Sequence, residues 1–592
     1  MKAINCLHFA NCVGLSMMMF SCDGATLPKE ETGAASAMFF QQPDSEKPQV
    51  EQKATADGIA VVSFVPSNMR CNASQRPPAQ MVSRQSLFAW KGERVSTQVF
   101  ISAQKKITGL AIKVTGAGGA NGIPPDAVKC SFQRYISANY SAGMCGNISK
   151  GLPEVRVADA ISPQQSVDIV PGGSQPVWIS VTVPRNTSEG NYNLQLSFTT
   201  KEQYKLPTLT LQVTVKKYTL PAPSDWAFHL DLWQYPLRVA RYYKVKPWSP
   251  EHFNILKPSM QKLAAGGQKA ITASFFWDSF NNEDWGEDSR MIKVHKAADG
   301  SFQYDYTNFD KWVTFMMGLG ISDQINCFGM NPFGNKMNLY YTDAVQQSRA
   351  IKSSAALLSK GYNDFWGKLL VSFAAHLRQK GWMEKTVLFF DERPAKETMD
   401  IVNFIKGVEP DFKIGYAGAY NPQLNNFLSD FSIASYLKID PDALAARKRA
   451  GRTTTFYTTC MEKKPNLFSF SDPAESVFMG WFAFANNYDG FLRYGYDMWE
   501  TNSLDDTRSS IVPAGDKFII YPQNYSSVRF EKLVEGIQDY EKLRILKKAL
   551  QNNQPALKKL NDVLEGFTLA RAKGISDYSE YIDNAKKVIN SL

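Results

Sequence analysis

The segment 386–394 (TVLFFDERP) places two carboxyl side chains, Asp391 and Glu392, directly after an apolar run. Such a run is typical of a buried β-strand, and Pro394 ends it. Because two adjacent like charges repel, one carboxyl group should have a raised pKa and act as an acid while the other stays ionised. Hydrolysis of a glycosidic bond needs this division of labour. The structural alternative is that Asp391 caps the next helix and Glu392 pairs with Arg393 at the surface.

Polar and aromatic residues also stand near the ends of other predicted strands. Grouped around the carboxyl pair, they would form a sugar pocket, with polar groups for the hydroxyls and flat rings for the sugar faces. Each Trp or Tyr taken alone has core packing as its alternative. The predicted substrate-binding residues are Trp233, Trp277, Asp278, Asn331, Arg393, Tyr416, Tyr457, Tyr494, Tyr496 and Trp499.

The elements that must position these residues are strands alternating with helices over 226–550, a pattern typical of parallel βαβ units. The candidate strands begin near Ala227, Ala270, Gln324, Val387, Lys413, Phe431, Thr453 and Gly490. Eight such strands predict a (β/α)₈ TIM-type barrel, in which active sites lie at the carboxyl ends of the strands. A doubly wound open sheet is the alternative, but no Gly-rich dinucleotide loop follows any strand.

Residues 58–219 show short runs of alternating apolar and polar residues, such as 96–102 (STQVFIS) and 209–215 (LTLQVTV), separated by turn residues. This texture predicts an N-terminal β-sandwich. The segment 220–224 (LPAPS) is predicted to be a stiff linker. Residues 551–592 are predicted to form a helical C-terminal tail. The fold class is therefore multidomain, β followed by α/β.

The bulk composition agrees with this organisation, because 592 residues exceed one compact core. Aromatic residues make up 12% of the chain, which fits sugar binding and also fits large β-rich cores. The net charge of +10 is modest for this length, and no Lys/Arg-rich block is present. The sequence therefore predicts a glycan partner and no nucleic-acid partner.

The N-terminus carries an apolar stretch, 12–20 (CVGLSMMMF), that is too short to span a bilayer. It ends at Ser21-Cys22, and this junction resembles a bacterial lipoprotein cleavage box. We therefore expect a signal peptide over 1–22, a flexible tether over 23–57, export across the inner membrane, and a lipid anchor on Cys22 at the cell envelope. An ordinary secretory signal with an incidental Cys is the alternative.

Five cysteines remain after the anchor, an odd and scattered set that forms no disulfide framework: Cys71, Cys130, Cys145, Cys327 and Cys460. Cys130 and Cys145 could form one bridge, and the others are expected to be small core residues. The five histidines show no HExxH motif, and no paired Cys-x-x-Cys occurs. No metal and no cofactor is therefore predicted.

Four stretches resemble glycoside hydrolase family 123, the β-N-acetylgalactosaminidases. They occur in the family's order and cover roughly 226–548: 231–234 (DLWQ), 389–394 (FFDERP), 490–499 (GFLRYGYDMW), and 529–541 with RFEKL and EGIQDYE. The resemblance implies a β-sandwich followed by a barrel. It also implies retaining hydrolysis in which the 2-acetamido group of the substrate is the nucleophile.

By that resemblance Glu392 is the general acid/base and Asp391 orients and polarises the acetamide, and the expected reaction is removal of terminal β-linked N-acetylgalactosamine. Tyr494 stands where the family pattern has Trp, which leaves the shape of the subsite and the exact sugar open. Two alternatives remain. One is a β-hexosaminidase with a different sugar or internal cleavage, and the other is a surface glycan-binding lipoprotein on an inactive hydrolase scaffold.

Overall fold

A computed structural model describes residues 58–116, 121–276, 286–331, 336–345, 349–572 and 574–592. The predicted signal peptide, the tether, Cys22, Trp277 and Asp278 lie outside these residues. The strands are β1 (Ala60–Val65), β2 (Arg84–Lys91), β3 (Arg94–Ala103), β4 (Ile107–Gly116), β5 (Val128–Ala138), β6 (Val155–Ile161), β7 (Val167–Ile169), β8 (Ser174–Thr182), β9 (Gly190–Thr199), β10 (Leu209–Thr219), β11 (His229–Leu232), β12 (Ala270–Ser274), β13 (Lys293–Lys296), β14 (Phe302–Asp305), β15 (Gln324–Phe328), β16 (Lys336–Asp343), β17 (Arg349–Ala356), β18 (Thr386–Asp391), β19 (Lys413–Gly418), β20 (Leu428–Ala434), β21 (Thr453–Tyr457), β22 (Gly490–Arg493) and β23 (Ser526–Ser527).

The helices are α1 (Pro236–Tyr243), α2 (Pro250–Ala265), α3 (Thr307–Gly318), α4 (Lys360–Lys380), α5 (Ala395–Val408), α6 (Pro422–Asn425), α7 (Pro441–Arg449), α8 (Pro473–Ala485), α9 (Val528–Ala549), α10 (Gln554–Glu565), α11 (Leu569–Ala572) and α12 (Tyr578–Ser591). Short 3₁₀ turns occupy Pro125–Ala127, Pro223–Asp225, Glu287–Ser289 and Met383–Lys385. In the part of the chain that is described, no helix is both long enough and apolar enough to cross a membrane.

The N-terminal region is a sandwich of two sheets, with strand orders β1-β3-β8-β5-β6-β23 and β2-β10-β9-β4-β7. The alternating runs place one face of each strand in the core, where Val99 and Ile179 of the first sheet and Leu211 and Val213 of the second are completely buried. This arrangement confirms the predicted β-sandwich.

The eight strands of the C-terminal region form one parallel sheet in the order β11-β22-β21-β20-β19-β18-β15-β12. The two edge strands approach each other, because the Lys269 N–H donates to the Leu230 carbonyl at 2.9 Å and the Leu232 N–H donates to the Gln268 side chain at 2.9 Å. These bonds close the predicted (β/α)₈ barrel. Each strand begins within three residues of its predicted start.

Strand alternation gives the barrel two environments. In β11, Leu230 and Leu232 pack outward in the large core shared with the helices. Trp233 belongs to a separate apolar cluster that also contains Phe389 of β18. Because residues two apart share a face, Asp231 and Asp391 point into the barrel with these two rings.

An additional four-stranded sheet, in the order β14-β13-β16-β17, has no counterpart in the sequence prediction. Its strands follow β12 and β15, so the sheet enlarges two of the loops at the carboxyl ends of the barrel strands. The loops of this face carry the catalytic groups of barrel enzymes.

The sandwich and the barrel are joined by buried polar contacts. Asp159 of β6 receives hydrogen bonds from Arg529 at 2.8 Å, Arg70 at 2.7 Å and the Tyr521 hydroxyl at 2.6 Å. Although burial alone would raise it, the charges of Arg529 and Arg70 hold the pKa of Asp159 below its ordinary value. Strand β23, which follows the barrel strands, also pairs with β6 of the sandwich.

A disulfide bond connects Cys145 of the sandwich with Cys460 of the barrel. The possible Cys130–Cys145 bridge is therefore wrong, and Cys130 is a free cysteine. Cys130 lies within β5, where it pairs with Ile179 of β8, whereas Cys145 lies in the loop after β5 that reaches the barrel. Because the bonded cysteines are 315 residues apart, the local spacing of cysteines in the sequence could not predict this pair.

Candidate active site

Asp391 and Glu392 lie where β18 ends, at the carboxyl face of the barrel. The Glu392 N–H continues the ladder by donating to the Ala417 carbonyl at 2.8 Å. Glu392 nevertheless has φ of +45°, in the left-handed region that residues with a side chain avoid. Strain of this kind persists where the surroundings enforce it, and it occurs at functional sites.

The chain after the two carboxyl groups is braced by two further hydrogen bonds. Arg393 is buried, and its Nε donates to the Asp391 carbonyl at 2.7 Å. The Tyr416 hydroxyl donates to the Arg393 carbonyl at 2.9 Å. Helix α5 begins at Ala395 with Pro394 as its N-cap residue, so Asp391 is not the cap that the structural alternative requires.

The surroundings of Asp391 favour its protonated form. Burial raises the pKa of Asp391 to about 7, the charge of Glu392 raises it as well, and Arg393 opposes the shift. The raised pKa reflects the burial of Asp391, and a positive charge that develops beside it would favour the ionised form.

Tyr457, at the end of β21, holds the second carboxyl group. Its hydroxyl donates to Glu392 Oε1 at 2.6 Å. Burial and the neighbouring Glu392 raise the pKa of Tyr457 above its ordinary value, so the hydroxyl remains a proton-bearing donor. Glu392 itself is exposed, which leaves its carboxyl group accessible from the face of the barrel.

Two other predicted residues belong to the same face. Tyr494 follows β22 and is half-buried, and its hydroxyl donates to Asp516 Oδ2 at 2.8 Å. Asn331 follows β15, and neither atom of its side-chain amide has a hydrogen-bond partner among the described residues. Both amide atoms are shielded from solvent in this conformation, so the structure places Asn331 near the site without showing an open contact for a sugar.

Trp233 lies beneath this face rather than on it. Its side chain has no exposed surface, and its ring lies 4.7 Å from that of Phe328 and 6.1 Å from that of Phe389, between ring centroids. Trp233, the inward-pointing residue directly after β11, therefore packs below the catalytic face of the barrel. The sequence pattern predicts that an aromatic residue lies near a strand end, but it does not show how deep in the barrel the side chain lies.

Three predicted substrate-binding residues are placed in the outer packing instead. Tyr416 points away from the barrel interior and stacks on Phe431. Tyr496 is fully buried, with its hydroxyl on the Ser259 carbonyl of α2 at 2.7 Å. Trp499 donates from Nε1 to the Ile520 carbonyl at 2.9 Å. Strand alternation turns Tyr416 toward the helices, whereas Tyr496 and Trp499 lie beyond the end of β22, where alternation no longer sets the direction of a side chain.

Residues near the site that the sequence analysis did not identify are Ser435, Tyr436 and Glu462. Ser435 and Tyr436 directly follow β20, and Glu462 lies in the loop after β21. The Ser435 hydroxyl donates to Glu462 Oε1, and the Thr459 N–H donates to Oε2 at 2.5 Å. The position of Ser435 and Tyr436 after a predicted strand was the only available signal, and Glu462 had none.

A second polar cluster lies deeper inside the barrel. Asn326 Nδ2 donates to Asp231 Oδ2 at 2.9 Å, and Gln324 Nε2 donates to Asp430 Oδ2 at 2.6 Å. Burial, together with the charge of Asp430, raises the pKa of Asp231 to about 8. Over the described ranges, no group of three or more His, Cys, Asp or Glu side chains is arranged to hold a metal ion.

A closed barrel with paired carboxyl groups at a strand end is an arrangement of glycoside hydrolases. Two family models match the chain, the catalytic domain of glycoside hydrolase family 123 over residues 233–546 and the N-terminal domain of the same family over residues 64–200. The chain belongs to glycoside hydrolase family 123, which confirms the predicted membership.

Among solved structures, a family 123 glycoside hydrolase from Clostridium perfringens has 24% identity and a TM-score of 0.77 over 90% of this chain and 100% of its own. This likeness shows the shared fold. A PapD-like domain of human CEP192, with 11% identity over 30% of this chain and 98% of its own, has a TM-score of 0.14, which supports no further comparison. The comparison with curated proteins gives no match.

Proposed function

We propose that the protein is a retaining exo-acting hydrolase that removes terminal β-linked N-acetylgalactosamine by substrate-assisted catalysis. The observation that carries the proposal is the pair at the end of β18, where Asp391 points into the barrel and Glu392 is exposed and receives the Tyr457 hydroxyl at 2.6 Å. The pair supplies one group for the leaving oxygen and one for the acetamide.

In the proposed first step, Glu392 donates its proton to the glycosidic oxygen as the bond from that oxygen to C1 breaks. The acetamide carbonyl oxygen of the same sugar forms a bond to C1, giving a cyclic oxazolinium. Asp391 accepts a hydrogen bond from the acetamide N–H and stabilises the positive charge that develops there. In the second step, Glu392 takes a proton from water, which attacks C1 and opens the ring with overall retention.

The sugar specificity rests on family membership, and Tyr494 is the position that departs from the family pattern. The structure of the Clostridium perfringens relative concerns the hydrolysis of glycolipid glycans. We propose glycans of the same general kind as substrates here, with the sugar bound at the face that holds Asn331 and Tyr494.

The test uses nitrophenyl β-glycosides of N-acetylgalactosamine, N-acetylglucosamine and galactose. We expect rapid release of nitrophenol from the first, slower release from the second, and almost none from galactose, which lacks the acetamide. A thiazoline mimic of the cyclised intermediate should inhibit far better than the free sugar, as transition-state-like species do. An inverted first product, or a glycosyl ester trapped on Asp391, would disprove substrate assistance, and binding without hydrolysis would favour the inactive-scaffold alternative.

We also propose that Cys22 carries a lipid that attaches the enzyme to the cell envelope. The support is the apolar run that ends at Ser21-Cys22, followed by a polar segment suited to a tether. Metabolic labelling with a fatty acid should mark the wild-type protein, and Cys22→Ser should remove the label and release the protein from the membrane fraction. Absence of label on the wild-type protein would refute the anchor.

A further inference from the structure

Glu462 connects the ends of two neighbouring barrel strands. Ser435, which donates to its Oε1, is the first residue after β20. Thr459, whose N–H donates to its Oε2 at 2.5 Å, is the second residue after β21. One carboxyl group therefore fixes both strand ends on the catalytic face.

The residue enclosed by these contacts is Tyr457. Its carbonyl accepts a hydrogen bond from the Ser435 N–H at 2.8 Å, and its hydroxyl is the donor to Glu392 Oε1. A displacement of the loop that holds Glu462 would therefore move the tyrosine that holds Glu392.

Glu462 and Glu392 both act electrostatically on one strand-end tyrosine, Tyr436. The Tyr436 side chain is partly covered, and this partial burial, followed by the negative charges of Glu392 and Glu462, raises its pKa. Burial also raises the pKa of Glu462 to about 7, with the Thr459 N–H and Arg493 opposing and Asp516 reinforcing the shift.

The sandwich fastens the loop that carries Glu462. Cys460, two residues before Glu462, forms the disulfide with Cys145. The same sandwich loop is held to the loop after β22 by hydrogen bonds from the Gly146 N–H to the Ile511 carbonyl at 2.8 Å and from the Ile148 N–H to the Ser510 carbonyl at 2.9 Å. The N-terminal domain thus constrains two active-site loops.

We propose that Glu462 is a positioning residue for Glu392 that acts through Tyr457, and that the Cys145–Cys460 disulfide holds its loop in place. The proposal rests on the proposed role of Glu392 as the proton donor. Its consequence is specific: loss of Glu462 impairs proton donation rather than sugar binding.

The experiment compares Glu462→Ala, Glu462→Gln and Tyr457→Phe on two N-acetylgalactosaminides, one with a nitrophenol leaving group and one with an unactivated sugar leaving group. General-acid catalysis is worth about 10²–10⁴ in rate, so partial misplacement of the acid should lower kcat on the unactivated substrate by about 10–100-fold. KM and the rate on the nitrophenyl substrate should change little. Glu462→Gln retains an acceptor oxygen and should recover much of the activity.

The double variant Glu462→Ala/Tyr457→Phe should be only slightly worse than Tyr457→Phe alone, because both changes act on one path. Equal losses on both substrates, an effect confined to KM, or fully additive losses would overturn the proposal. If Glu462→Ala does not fold, Glu462→Gln and the single Tyr457→Phe variant still test it through the same leaving-group comparison.

The matched control is Glu202→Ala, since Glu202 also accepts a backbone N–H, that of Thr108, but within the sandwich. It should leave both rates unchanged. Cys145→Ser/Cys460→Ser should reproduce part of the leaving-group-dependent loss, and an unchanged rate ratio would remove the disulfide from the proposal. If Glu392→Gln shows no leaving-group dependence, the proposed proton donor itself fails, which is distinguishable from a failure confined to the Glu462 variants.

Discussion

The barrel contains two groups of carboxyl side chains at different depths. Asp391 and Glu392 lie at the strand ends, whereas Asp231 and Asp430 lie inside, bonded to Asn326 and Gln324. Burial raises the pKa of Asp391 to about 7 and that of Asp231 to about 8, so the direction of the shift does not separate them. Access separates the two groups. Glu392, beside Asp391, is exposed, so a substrate can reach the pair at the strand ends but not the buried Asp231 and Asp430.

A layer of aromatic rings separates the two groups. Trp233 stands two residues after Asp231, Phe328 stands two residues after Asn326, and Phe389 stands two residues before Asp391, and all three rings belong to one apolar cluster. The comparison teaches that a perturbed pKa marks burial first and function only when access accompanies it.

The largest expected effect comes from Glu392→Gln. The amide cannot donate a proton to the leaving oxygen, so the rate on unactivated substrates should fall by about 10²–10⁴-fold, while activated aryl glycosides, which need little acid help, should lose much less. Steady-state kinetics across leaving groups of graded acidity measure this. An equal loss across the series would show that Glu392 is not the acid.

The next effect contrasts Asp391→Asn with Asp231→Asn. The first removes the charge that stabilises the cyclising acetamide and should lower kcat/KM by roughly 10²–10³-fold on activated and unactivated substrates alike. Asp231→Asn, a matched change of a buried aspartate below the aromatic layer, should alter kcat/KM by no more than about threefold, since uncoupled sites act independently. Comparable losses in both variants would remove the distinction between the two groups.

For the stability of the protein, unlike its activity, the change at Asp231 should have the larger effect. Asp231 has a raised pKa in the folded state, so its contribution is fully present below the ordinary aspartate pKa and is lost as pH rises toward about 8. Asp231→Asn should therefore stabilise the protein relative to wild type increasingly from pH 5 to pH 8, by on the order of 2–4 kcal/mol across that range. Denaturant unfolding at both pH values measures this difference, and a pH-independent effect would contradict it.

Much of this architecture follows from local sequence pattern. The apolar runs predict the eight barrel strands, and the run that ends at Asp391 predicts the position of the proposed catalytic pair. Strand alternation does not extend into the segment after β22, so the sequence predicts Tyr496 and Trp499 at the site, whereas the structure packs both of them elsewhere. The role of Glu462 comes from contacts made by a loop, and the Cys145–Cys460 bond joins residues 315 positions apart. Neither feature produces a periodic pattern in the sequence, so neither could be predicted from it.

The smallest effect should come from the aromatic layer itself, through Phe389→Leu. The Phe389 ring contacts those of Phe328 and Trp233, at 5.3 and 6.1 Å between centroids, directly below Asp391. A smaller side chain admits water, which weakens the desolvation that raises the Asp391 pKa. Because the proposed reaction uses ionised Asp391, the acidic limb of the kcat/KM profile should move to lower pH by up to roughly 0.5 units. Phe390→Leu is the matched control, because the Phe390 ring packs outward against the helices and should leave the limb in place. Equal movement in both variants would show a general loosening of β18, and no movement in Phe389→Leu would show that the rings do not control the acidity of the upper group.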